Sequence, residues 1–130
     1  ATRPWQHVLD CLSGYLVYAE RMAQGAVNDV ALNIGPLEPR GRTVAELTAA
    51  VQAALGAKQG WRKAPGPLPK EMPALALSCG QAERALAGRS QLDAQQAIVW
   101  TADWYKAFAA GEEASAMTLR QIERYAALRP

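Results

Sequence analysis

The chain has 130 residues, half of them hydrophobic and a fifth charged, with 14 basic and 12 acidic residues and a formal net charge of +2. That length holds one compact domain with a real core but not two full ones. The near-neutral balance, without a basic run, argues against a nucleic-acid protein, and no apolar run approaches the ~18–20 residues of a membrane span. The opening Ala1-Thr2-Arg3-Pro4-Trp5 lacks the apolar stretch of a secretory signal. Two cysteines, Cys11 and Cys79, form neither a disulfide framework nor a metal cluster. A cytoplasmic protein of one domain, residues 1–130, is expected.

In chain order, Trp5 to Leu9 reads as a short strand. From Asp10 to about Gln24, residues Leu12, Tyr15, Leu16, Ala19, Met22 and Ala23 recur at spacings of three and four. They predict a helix with one buried stripe, closed by Gly25. Val30-Ala31-Leu32-Asn33-Ile34, ending at Gly35-Pro36, predicts a short buried strand. Thr43 and Glu46 form a capping-box pattern that opens a helix burying Val44, Leu47, Val51 and Leu55, with its stop near Gly56. Gly60 to Lys63 reads as an edge strand. Four prolines, Pro65, Pro67, Pro69 and Pro73, make the following stretch an extended surface loop, because each removes a backbone donor and fixes φ.

Ser78 and Gln81 repeat the capping pattern before a short helix with Ala82, Ala85 and Leu86. Asp93 and Gln96 open the strongest helix, whose main face is Ala97, Ile98, Thr101, Trp104, Tyr105 and Phe108, with Gly111 at its end. Trp100 lies off that face, on a stripe with Gln96, Asp103 and Ala107, and is expected at an interface; Tyr15, Tyr18 and Trp104 are expected in the core. Thr118 and Gln121 start the last helix, with Leu119, Ile122, Tyr125 and Ala126 on its apolar face. The expected class is a helix-rich α/β fold of about five helices with two or three short strands.

No catalytic constellation accompanies these elements. His7 is the one histidine, no serine sits in a G-x-S-x-G elbow, and the G-x-G-x-x-G dinucleotide fingerprint is missing from these residues. Gly35 to Gly41 holds two glycines, but its prolines remove donors that would cradle phosphate. Two residues do resemble ligand machinery. Arg3 stands just before Pro4-Trp5, and a guanidinium forks onto phosphate oxygens. Asn33 ends the expected strand, where its amide can donate into a crevice. A surface arginine and a turn-forming asparagine are the plainer readings of the same two positions.

The order of these pieces carries a resemblance. Arg3-Pro4-Trp5-Gln6-His7-Val8, then Leu32-Asn33-Ile34-Gly35-Pro36, then Thr43-Val44-Ala45-Glu46-Leu47 is similar to the C-terminal half of extended short-chain dehydrogenases acting on nucleotide sugars. Within that NAD-dependent epimerase/dehydratase family, the chain resembles CDP-glucose 4,6-dehydratases. Gly60-Trp61 before the proline-rich loop, Ser78-Cys79-Gly80-Gln81-Ala82, Thr101-Ala102-Asp103-Trp104-Tyr105 and Met117-Thr118-Leu119 support the narrower match. There are departures. Leu68-Pro69-Lys70-Glu71 keeps only the proline and the acid of a His-Pro-His-Glu-like run, and Ala74 replaces a tyrosine. Ser78 replaces an aspartate, Gln81 a lysine, and Ala87-Gly88-Arg89 a Leu-Gly-Trp-Arg-Pro-like turn.

The resemblance implies that Arg3 and Asn33 are substrate-binding residues that hold the nucleotide diphosphate of a CDP-sugar. It also implies that the NAD site and the Tyr-x-x-x-Lys catalytic pair belong to an N-terminal Rossmann part. No catalytic, cofactor-binding or metal-ligating residue is then expected within these 130, and no activity from them alone. Residues 1–36 would be a strand-helix-strand remnant that packs on the Rossmann sheet, and 37–130 the helices and loop of a substrate domain. With that sheet removed, an exposed helix face and strand edge call for a cover, either a second copy of the chain or a separate protein.

Overall fold

The structure, a computed structural model, describes residues 1–28, 31–38, 41–67, 70–88 and 90–128. Among them the chain forms β1 (Thr2–Arg3), α1 (Val8–Ala23), β2 (Arg42–Thr43), α2 (Val44–Leu55), α3 (Gly80–Leu86), α4 (Ala94–Ala109) and α5 (Ala114–Ala126). The helix-rich α/β class is as expected, with five helices and one two-stranded sheet among the described residues. No helix in that set is long and apolar enough to cross a membrane.

The strands stand elsewhere than the hydrophobic runs suggested. β1 and β2 pair antiparallel, Thr2 with Thr43 and Arg3 with Arg42, and Thr2 also bridges Ala74 in parallel. Gly41 makes the approach to β1 possible, because at φ +65° a side chain there would run into the Arg3 carbonyl. Trp5 to Leu9 is not a strand, since α1 already begins at Val8. Gly60 to Lys63 is exposed and unpaired by backbone ladders. Residues 31–34 run without regular structure, while Val30 of that expected strand lies outside the described residues, as do Leu68, Pro69 and Arg89.

Capping chemistry set most helix ends where the sequence placed them. Thr43 and Glu46 close a reciprocal box on α2, with Glu46 Oε2 accepting from the Thr43 amide at 2.8 Å and Thr43 Oγ1 accepting from the Glu46 amide at 3.1 Å. Asp93 and Gln96 do the same for α4, at 2.7 and 2.9 Å. Gly56 and Gly25 follow their helices at φ +69° and +68°. Two starts differ. α3 begins after Cys79, which is already helical at φ −101°, ψ −4°, so Ser78 cannot act as its side-chain cap. α5 is capped five residues early: Glu113, not Thr118, accepts from the Ser115 and Ala116 amides, and Thr118 Oγ1 is spent inside the helix on the Ala114 carbonyl at 2.8 Å.

The core is also distributed differently. Trp100 is 3% exposed and clusters with Leu92, Tyr125 and Leu9, so it is a core residue and not an interface one. α4 is covered on two sides. Ile98 and Ala102 are buried on the face opposite Trp100, and α2 makes the most extensive packing on α4, with α5 also against it. Tyr15, by contrast, is 56% exposed, and Tyr18 and Trp104 are half-buried.

α1 is turned inside out relative to its pattern. At 100° per residue, Asp10, Ser13, Gly14 and Val17 share one face. That face packs inward: Asp10 is buried, and a Cβ on Gly14 would lie 2.6 Å from Ile34 Cγ2. The opposite face carries Leu12, Tyr15, Leu16 and Met22, all exposed.

Candidate functional site

A cavity of about 310 Å³ opens between α1, the 33–35 segment and α3. Asp10, Ser13 and Gly14 form one wall, Asn33 and Gly35 another, and Cys79 and Glu83 a third. Close backbone approach builds these walls. A Cβ on Gly35 would sit 2.5 Å from Cys79 Sγ, so glycine lets the segment lie flush on the start of α3. Ser90 then locks the floor, donating to the Gly35 carbonyl at 2.7 Å while accepting from Gln6 Nε2 at 2.8 Å.

Asp10 is the principal polar anchor, although the sequence marks it only as a helix start. Its Oδ1 accepts from the Gln91 amide and the Tyr125 hydroxyl, each at 2.6 Å, and its Oδ2 from the Leu92 amide at 3.4 Å. Three donors from the 91–92 turn and α5 thereby converge on a carboxylate that is 3% exposed. The signal available in the sequence was its place on the face of α1 that carries no large apolar residue.

Asn33 faces this cavity and is otherwise exposed; its Nδ2 lies 3.4 Å from the Ser78 carbonyl. Arg3 is placed elsewhere. On β1 it pairs with Glu71 and donates to the Met72 carbonyl at 3.1 Å and the Thr2 carbonyl at 2.7 Å. With the Thr2 amide donating to Pro73 and Leu75 to Thr2, this ties the end of the proline-rich loop to the sheet. The structure therefore separates the two expected ligand residues: among the described residues, the cavity lining includes Asn33 but not Arg3.

The cavity's chemistry favours hydrogen bonding over nucleophilic attack. Burial and the neighbouring Glu83 charge push the Cys79 thiol up from its ordinary value, which keeps it protonated at neutral pH. Its described charged lining, Asp10 and Glu83, is acidic, which suits hydroxyl donors and opposes a diphosphate.

Over 124 residues the chain is 31% identical to CDP-glucose 4,6-dehydratase of Salmonella typhimurium. That similarity covers 95% of this chain and 34% of the dehydratase, so the chain spans about a third of the curated relative it matches. No protein-family profile matches the chain. The chain is thus related in sequence to part of a nucleotide-sugar dehydratase.

Proposed function

We propose that the chain is the sugar-nucleotide-binding, C-terminal portion of a nucleotide-sugar dehydratase acting on a CDP-glucose-like substrate, and that these residues supply binding surface rather than chemistry. The observation that carries this reading is the 31% identity that runs through 95% of the chain. In this reading Asn33 and the hydroxyl-accepting walls of the cavity receive the sugar or ribose hydroxyls, near Ser13 and Glu83. Arg3 is the cation for the diphosphate, which it takes in exchange for its pairing with Glu71. The hydride acceptor and the base are provided outside these residues. Calorimetric titration with CDP-glucose tests the proposal. Measurable heat and a raised thermal midpoint are expected, both reduced in Asn33→Ala and Arg3→Ala. Absence of heat and of any shift at about millimolar ligand sinks the binding role.

A second reading is favoured by one feature, the outward stripe of Leu12, Tyr15, Leu16 and Met22 on α1. An apolar face of that length on a small domain marks an interface, so here the chain acts as a self-associating or protein-binding scaffold without a small ligand. Sedimentation at high concentration separates the two, because a strict monomer removes the self-association reading.

A further inference from the structure

His7 lies outside the cavity and is 4% exposed, which is unusual for a titratable group at a helix start. It is the N-cap of α1, its Nδ1 accepting from the Leu9 amide at 3.2 Å. A backbone amide can only donate, so Nδ1 must present a lone pair and the neutral ring carries its proton on Nε2. The ring stands edge-on to Trp100, with centroids 6.0 Å apart at 79°. The guanidinium of Arg124 lies over the same indole, 4.0 Å from its centroid. One turn into α1, Asp10 holds Tyr125 and the 91–92 turn. His7 thus closes the junction of α1, α4 and α5. Among the described residues, the titratable and charged groups that face it are Asp10 on α1, Arg124 of α5 across the shared indole, and Tyr105 of α4, which lines the same groove, while Trp100 of α4 is uncharged. A groove of about 500 Å³, lined in part by His7, Thr101 and Gln121, brings solvent to the ring.

We propose that His7 is an acid-operated latch on this junction: neutral, it caps α1; protonated, it releases the helix start and the Asp10 anchor behind it. Protonation sets an Nδ1–H against the Leu9 N–H, leaving two donors facing each other. It also adds a cation at the positive end of the α1 dipole, in the neighbourhood of Arg124. Asp10 opposes these effects, but its two oxygens already accept three hydrogen bonds. Burial outweighs its attraction and holds the imidazole below its ordinary pKa. The unfolded chain therefore binds the proton more readily than the folded one. Stability from this site is complete above the unfolded value and falls as pH drops from there toward the lowered folded value.

The single histidine allows a direct test, independent of any ligand. Its Cε1–H resonance is followed by NMR between about pH 8 and pH 5, together with amide exchange at Leu9, Gln91 and Leu92 corrected for intrinsic rates. The latch requires a midpoint below that of an exposed histidine and a several-fold loss of amide protection along the same curve. His7→Asn, which caps without titrating, should show flat protection over that range. An ordinary or raised midpoint overturns the proposal, as does a parallel loss of protection in wild type and His7→Asn. Should the variant not fold, coincidence or divergence of the two wild-type curves decides.

Discussion

Ala87 closes α3 at φ +50°, ψ 38°, the left-handed conformation that a Cβ disfavours, while Gly88 stands one position too late to relieve it. Ala87→Gly should accordingly raise stability by about 0.5–1 kcal/mol in urea unfolding, net of the freedom glycine adds to the unfolded chain. Asp10 has the opposite sensitivity. Asp10→Ala strands the Gln91 amide and the Tyr125 hydroxyl near a buried site, and a loss of about 2–4 kcal/mol is expected by the same measurement. Neither position announced itself in the sequence. An aspartate in a first helical turn is ordinary there, and its burial arises only because residues 91, 92 and 125 are brought to it. Asn33 was legible as a residue facing a crevice, but its separation from Arg3 was not, because that depends on where Glu71 and the proline-rich loop end up.

Helix starts were legible where the cap is a reciprocal box. The boxes Thr43/Glu46 and Asp93/Gln96 formed as their spacing predicts, since both partners lie within one turn. Thr43→Ala should cost about 1 kcal/mol, read from the denaturant midpoint. Hydrogen bonds from Thr43 also hold the Glu46 carboxyl below its usual value of 4.5. Because the folded value is the lower one, this contribution is present at neutral pH, above the unfolded value, and disappears as pH falls through the folded one. Glu46→Gln should therefore lower stability at neutral pH, leave it nearly unchanged in acid where the carboxyl is already protonated, and so flatten part of the acid limb of a stability-against-pH curve. The caps that misled were those with a competing local partner. Thr118 bonds back to Ala114 within α5, and Glu113, an uncommon cap, takes the start instead.

At the scale of the whole molecule, α1 presents its apolar stripe to solvent. Leu16 is 73% exposed, and Leu16→Glu should change folding stability by no more than about 0.5 kcal/mol, checked by thermal melting. A core position would lose several times that. If the stripe is the self-association face, the same variant shifts the sedimentation profile toward monomer without loss of fold. The amino-acid sequence by itself determined that α1 exists, where it ends and that it carries a continuous apolar face, because period and capping are set by neighbours a few positions apart. It likewise determined a helix-rich chain with a proline-rich surface loop. Which side of α1 turns inward was decided only in three dimensions. Gly14 admits Ile34, and Asp10 draws in the 91–92 turn and Tyr125, so the small and polar face gains contacts that the apolar face does not. The same holds for Trp100, polar-sided on the helical wheel yet enclosed by Leu92 and Tyr125. Periodicity reports what a face is made of, and tertiary packing assigns its neighbours.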